Sequence, residues 1–219
     1  MDFRLKHPFT MLLSGPSMSG KTTLVYSLLN TFTLSTNIDK TIENIRIIWV
    51  SREKPNTPSS ISSLISHFST LTSALKLIEE KSADVIVIDD LMAELSNDVR
   101  LSNLFTRDSH HKQISCILLT QNLFYKSQVY RTVSLNAKYI VLTKTVRDLT
   151  QIELLGRQLF PKNQNLFLEA YKYATVKPYG YLLLDLTQET PESLRLRSDT
   201  FASIEKSAIS PTVYQFENV

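Results

Sequence analysis

An α/β fold, with a mostly parallel sheet flanked by helices, is what this sequence predicts, and three observations predict it. Short apolar runs alternate with amphipathic stretches along most of the chain, the pattern of strands buried between helices. A glycine-bearing segment, residues 15–22, stands between the first apolar run and the helical pattern after it. The third apolar run ends in two adjacent acids, Asp89 and Asp90. With 219 residues, 42% hydrophobic and 21% charged, the chain is long enough for one such domain with a real core and too short for two.

Phe9–Leu13 reads as the first strand and Thr22–Phe32 as the helix after it. Ile45–Val50 is the second strand, ended by a loop, residues 51–60, that holds two prolines. Ile61, Leu64, Ile65, Phe68, Leu71, Leu75 and Ile78 recur at helical spacing, which predicts a covering helix with a break near Ser69. Val85–Ile88 is a third strand, Leu91–Phe105 a helix, Ile114–Leu119 a fourth strand and Tyr139–Leu142 a fifth. Two helices are expected over Asp148–Gln158 and Asn165–Tyr173. A C-terminal β-hairpin is expected from Thr175–Lys177 and Tyr181–Leu186 about Pro178-Tyr179-Gly180. The domain is therefore read as residues 1–186, with 187–219 a polar tail, peripheral or flexible.

Composition narrows the setting. The single cysteine, Cys116, lies in an apolar run and reads as a small buried hydrophobe in a reducing compartment. No apolar stretch approaches the roughly 20 residues of a membrane span, and Met1–Thr10 lacks a signal-peptide layout. An intracellular protein with no membrane partner is expected. The net charge of +3 is compatible with a phosphate-backbone partner without identifying one.

Gly15-Pro16-Ser17-Met18-Ser19-Gly20-Lys21-Thr22 has the spacing G-x-x-x-x-G-K-[ST] between a strand and a helix. Such a loop curls so that successive backbone N–H groups point at phosphate oxygens, and the helix start adds its positive dipole end. The reading makes Gly15 to Thr23 the ATP-binding segment. Lys21 reaches the β- and γ-phosphates, and the Thr22 hydroxyl is a ligand for Mg²⁺. At average residue frequencies the pattern arises by chance in roughly one chain of this length in a hundred. Two of only four glycines fall on its fixed positions.

Asp89, at the carboxyl end of a buried strand, is expected as the Mg²⁺-side carboxylate, because ligands bind at that end of open α/β sheets. Asp90 has two roles open to it: the base for the attacking water, or the N-cap of the following helix. Gln121, at the end of the fourth strand, is placed to touch both the γ-phosphate and the water. A Gln-bearing strand inserted between the P-loop strand and the acidic strand defines a RecA-like P-loop NTPase of the additional-strand type. It sets the chain apart from the nucleotide-kinase and GTPase group.

Several further segments carry a family resemblance: Leu104-Phe105-Thr106-Arg107-Asp108-Ser109-His110-His111, Thr120-Gln121-Asn122-Leu123-Phe124, Ser134-Leu135-Asn136-Ala137-Lys138-Tyr139 and Pro178-Tyr179-Gly180-Tyr181-Leu182-Leu183-Leu184-Asp185-Leu186. With the P-loop they make the chain, from about Phe9 to Arg197, resemble the genome-packaging ATPases of the FtsK–HerA superfamily. The likeness is strongest to those of Polinton/Maverick elements and related large DNA viruses. Many members of that superfamily carry Asp-Glu where this chain has Asp89-Asp90. The resemblance implies a homo-oligomeric ring that moves double-stranded DNA, with a capsid protein as a possible partner and an arginine acting across each interface. Arg107 matches the family's arginine, with Arg131, Arg147 and Arg157 as the other candidates; pairing with Asp108 is the plainer reading of Arg107. His110 and His111 lack the acids or cysteines of a metal set, so packing is expected of them. Tyr125, Lys126 and Arg131 are the candidate DNA contacts. Two other functions share the motif: a nucleotide kinase, which would need an arginine-rich lid not visible here, and a non-enzymatic nucleotide-gated adaptor.

Overall fold

The structure is a computed structural model and describes residues 3–32, 36–37, 40–80, 83–201 and 211–215. Its centre is one sheet. Six strands run parallel: β1 (Thr10–Ser14), β2 (Ile47–Val50), β3 (Ile65–Phe68), β4 (Val85–Asp89), β5 (Ser115–Thr120) and β6 (Tyr139–Thr143). Three more, β7 (Tyr181–Asp185), β8 (Leu196–Ser198) and β9 (Thr212–Tyr214), extend it antiparallel. The spatial order is β3-β2-β4-β5-β1-β6-β7-β8-β9.

The near-continuous apolar strands follow from burial on both faces. Because side chains alternate along a strand, Leu12, Ile86, Ile88, Cys116 and Leu118 enter one core. Their neighbours Met11, Leu13, Val85, Val87, Ile117 and Leu119 enter the other. Helix α1 (Lys21–Asn30) covers the second face through Val25, Leu28 and Leu29. The first face is covered by α3 (Leu71–Glu79), α7 (Gln128–Leu135), α8 (Thr150–Leu159) and α9 (Gln164–Ala174). A one-turn helix α2 (Ser59–Ser62) precedes β3. Cys116 is buried, and burial pushes its thiol far above the ordinary range, so it is an inert core residue.

Several expectations are corrected. The helix expected from Ile61 through Ile78 holds strand β3 in its middle, Ile65–Phe68, parallel to β2. A short run spaced for a helix face can also pair as an edge strand, and the free edge of β2 decides the outcome here. Leu91–Phe105 is not one helix but α4 (Met92–Leu95) and α5 (Val99–Asn103), the second continuing through a π-turn (Leu104–Asp108) into α6 (Ser109–His111). Asp98 causes the break: its side chain accepts from the Arg100 N–H and caps a new helix start. Helix α7 was not read from the sequence. Its cap is Ser127, accepting from the Tyr130 N–H.

The C-terminal antiparallel hairpin is present, but its arms are β7 and β8. Residues 175–177 instead form the turn that ends α9. In the segment read as a polar tail, β8 and β9 add to the sheet, so the sheet continues past residue 186. Arg197 on β8 is buried and paired with buried Asp185 on β7, whose carboxylate also accepts from the Thr187 and Thr190 hydroxyls.

Candidate active site

All six parallel strands end on one edge of the sheet, and the glycine loop, both acids and Gln121 sit there. The loop after β1 is tied down at both sides. The Gly15 N–H donates to the Thr120 carbonyl at 3.1 Å, and the Thr143 hydroxyl lies 2.8 Å from the Ser19 hydroxyl. A Cβ on Gly15 would stand 1.8 Å from Thr143 Oγ1, so the approach of β6 itself requires glycine. Met18, with φ 63°, and Gly20, with φ 87°, take left-handed conformations that fold the loop back to the start of α1. Met18 is almost wholly exposed at its tip.

Lys21 lies folded over this loop, its Nζ donating to the Gly15 and Pro16 carbonyls at 2.8 Å each. Partial burial lowers its pKa, and the facing charges of Asp89 and Asp90 resist that shift. The Thr22 hydroxyl donates to Asp89 Oδ2 at 3.3 Å. Burial raises the Asp89 pKa and Asp90 adds to the rise, while the Thr22 bond and Lys21 oppose it. Thr23 is exposed on the first turn of α1.

Asp90 is in a different environment one residue later. It is exposed, has φ 54°, and accepts from Gln121 Nε2 at 3.0 Å. The cap position of α4 belongs to Leu91 and carries no side-chain capping bond, so the reading of Asp90 as an N-cap is not realised. The left-handed backbone turns the second carboxylate away from the helix and toward the end of β5, where Gln121 meets it. The sequence pointed to Lys21, Thr22, Asp89, Asp90 and Gln121, and the fold brings them to one cleft of about 670 Å³.

Sequence reasoning missed other walls of that cleft. Arg52, Glu53 and Lys54 follow β2 and line it, as does Tyr26 from α1. Arg52 is held by Glu94, its Nε at 2.7 Å from the carboxylate. The signal was available in principle: residues just past the carboxyl end of any parallel strand reach the same edge. Arg147 and Gln151 line an adjoining cavity of about 220 Å³ that also touches Gly15, Pro16 and Gln121. Arg107 is not brought here. It belongs to the π-turn beside the start of β5, where Cys116 Sγ lies 3.6 Å from the Leu104 carbonyl, at the opposite sheet edge. Its Nε donates to Asp108 at 3.0 Å, the plainer of the two readings of its surroundings. His110 and His111 pack edge to face, and no group able to hold a metal is formed by three or more His, Cys, Asp or Glu among the described residues.

The residues present fit an anion with its counter-cation. A loop of backbone N–H groups at a helix start, closed by Lys21, suits polyphosphate. Thr22 and Asp89 are hard oxygen donors of the kind Mg²⁺ accepts. Tyr26 Oη is buried without a hydrogen-bond partner among the described residues, as a wall prepared for a polar occupant would be.

Strand β5 lies between β4 and β1, so the acidic strand and the loop strand are separated by the Gln-bearing strand. With the loop, this order defines the RecA-like P-loop NTPase fold of the additional-strand type. Solved structures agree. The genome packaging NTPase B204 from Sulfolobus turreted icosahedral virus 2, in complex with ATP-gammaS, matches with a TM-score of 0.56 at 16% identity, over 84% of this chain and 95% of that one. B204, the DNA-packaging ATPase from Sulfolobus Turreted Icosahedral Virus, matches with a TM-score of 0.57 at 15% identity, over 85% and 96%. At such identities the likeness is one of fold. No protein-family model and no curated protein matches the chain. Among the described residues, no helix is long and apolar enough to cross a membrane.

Proposed function

We propose that this chain is an ATP-hydrolysing motor that translocates double-stranded DNA, packaging a viral or virus-like genome inside a host cell. The observation that carries the proposal is the bond from Gln121 to Asp90 beside a P-loop, across an inserted strand. It joins the group that would handle water to a strand that can transmit the outcome. The overall likeness to two packaging enzymes supports the direction of this reading, and the motif resemblance narrows it toward the Polinton/Maverick group.

In this mechanism residues 15–23 cradle the triphosphate of ATP. Lys21 exchanges its two carbonyl partners for phosphate oxygens, a change made easier because the amine is already partly desolvated. Thr22 and Asp89 would hold Mg²⁺, which would supply charge neutralisation for the phosphates. Asp90 accepts the proton of the attacking water, and Gln121 orients that water and is released from Asp90 as phosphate leaves. Arg107 is proposed as the arginine acting between subunits of a ring. Its side chain is 64% exposed and lies at the edge opposite the P-loop, so it cannot serve the P-loop of its own subunit. Tyr125, Lys126 and Arg131, which line a groove of about 760 Å³, are the proposed phosphate-backbone contacts of DNA. A capsid protein is the proposed partner.

The test is steady-state ATP turnover with and without linear double-stranded DNA. Release of inorganic phosphate that rises with DNA is expected. Transfer of the phosphoryl group to a second nucleotide would assign a kinase instead, and nucleotide binding with no turnover would assign a nucleotide-gated adaptor.

A further inference from the structure

On the flank of the P-loop away from the acids, one residue is placed in a way that neither packing nor turn chemistry accounts for. Tyr179 has φ 60° and is 73% exposed. It sits in a turn closed by the Gly180 N–H donating to the Lys177 carbonyl at 3.0 Å, with Pro178 before it. The third position of such a turn with positive φ is normally glycine or asparagine, because a bulky side chain there is strained. Exposure leaves little burial to offset that strain. The ring nevertheless has a fixed place: a Cβ on Gly20 would stand 2.9 Å from Tyr179 Cδ1 and 3.5 Å from its Cβ and Cγ. The last glycine of the phosphate-binding loop is thus fitted to an aromatic ring that comes from 159 positions further along the chain. Strain retained at an exposed aromatic beside a ligand loop points to a role for the ring itself.

We propose that Tyr179 is the platform on which the base of the bound nucleotide rests. The inference depends on the reading of residues 15–23 as the triphosphate site and adds to it. Sheet order supplies the direction. Asp89 ends β4 and Gln121 follows β5 on one side of the P-loop strand, whereas Tyr179 lies two residues before β7, beyond β6 on the other side. The reacting end of the triphosphate belongs beside the acids, so the nucleoside end leaves toward β6 and β7, where the exposed ring waits. Stacking on a π-face tolerates any base. Tyr179 therefore distinguishes a nucleotide from a bare polyphosphate and does not select among bases by hydrogen bonding.

Calorimetry on the full chain in Mg²⁺, with a non-hydrolysable ATP analogue and with inorganic tripolyphosphate, separates these contributions. Tyr179→Ala should weaken the analogue about ten-fold, in the range of base–aromatic stacking, and leave tripolyphosphate unchanged. Tyr179→Phe should bind both as the unmutated chain does. Tyr179→Gly relieves the backbone strain, so it should melt no lower than the unmutated chain yet lose the same ten-fold. Equal weakening of both ligands, or of neither, overturns the proposal. So does a Tyr179→Ala chain that changes only its self-association, which would make exposed Tyr173, Val176 and Tyr179 a subunit contact. Failure of the unmutated chain to bind tripolyphosphate, or indifference of that binding to Lys21→Ala, would sink the phosphate-site reading beneath it.

Discussion

Two carboxylates at strand ends, Asp89 on β4 and Asp185 on β7, receive opposite treatment from the same sheet. Asp185 is enclosed: Arg197 pairs with it, and the Thr187 and Thr190 hydroxyls donate to it. Phe3 packs over the guanidinium at 5.8 Å. Asp89 is half-buried, has one hydroxyl donor, Thr22, and opens on a cleft shared with Lys21. The parallel end leaves its charge incompletely satisfied, and the antiparallel end closes its charge with protein. An incompletely paired, half-buried acid is costly to the free protein and useful to a cation. A closed pair fixes the arrangement of strands and offers nothing to a ligand.

The largest effect that could break this contrast belongs to the open end. Lys21→Ala should reduce ATP turnover to background, read as phosphate release, with an unchanged circular dichroism spectrum and melting temperature. Loss of soluble protein would mean that the lysine holds the fold and that the open end is structural too. Next comes the proposed ring. Arg107→Ala should cost on the order of 10³-fold in turnover while leaving nucleotide affinity intact. Mixing it with Lys21→Ala subunits should restore part of the activity. If mixtures of Arg147→Ala do so instead, the interfacial arginine is the one beside the P-loop.

At the closed end, Arg197→Met should destabilise the chain by about 3–5 kcal/mol, because it strands a buried carboxylate. That is on the order of 10 °C in melting temperature for a chain of this size. Replacing both partners, as Asp185→Leu with Arg197→Met, should recover much of the loss. A single mutant as stable as the parent would show that the closed pair is not closed.

The smallest effect is the most diagnostic of the open end. Burial raises the Asp89 pKa in the fold, so its contribution to stability is fully present below the unfolded value near 3.8. That contribution is lost as pH rises through the higher folded value. At neutral pH the ionised carboxylate therefore costs stability, and Asp89→Asn should melt slightly higher than the parent in metal-free buffer. The difference should vanish below about pH 4, near the unfolded carboxylate pKa. An Asp89→Asn chain that melts lower at neutral pH would contradict an incompletely paired acid.

How much of this was legible in the sequence follows the same division. Gly15 to Thr22 and Asp89-Asp90 were readable because a local spacing and a strand end are enough to place them. The strand order was readable through Gln121. The walls contributed by Arg52, Lys54 and Tyr26 were not, since they reach the cleft only through the register of β2 against β4 and the packing of α1. Strand β3 was hidden because Ile65 and Phe68 suit a helix face as well as an edge strand. Strand β8 was hidden because Arg197 makes a buried segment look polar. Asp98 and Ser127 carried ordinary capping chemistry that was legible and overlooked.

The adjacent acids at the open end face different ways: Asp89 is half-buried against Thr22, and Asp90 is turned out by its left-handed backbone to meet Gln121, and the proposed mechanism gives them separate tasks. The most direct test compares ATP binding and phosphate release for Asp89→Asn and Asp90→Asn in Mg²⁺. Asp90→Asn should bind ATP as the parent does and release phosphate at least about 10²-fold more slowly, whereas Asp89→Asn should lose the Mg²⁺-dependent part of binding. Normal hydrolysis by Asp90→Asn would contradict the account.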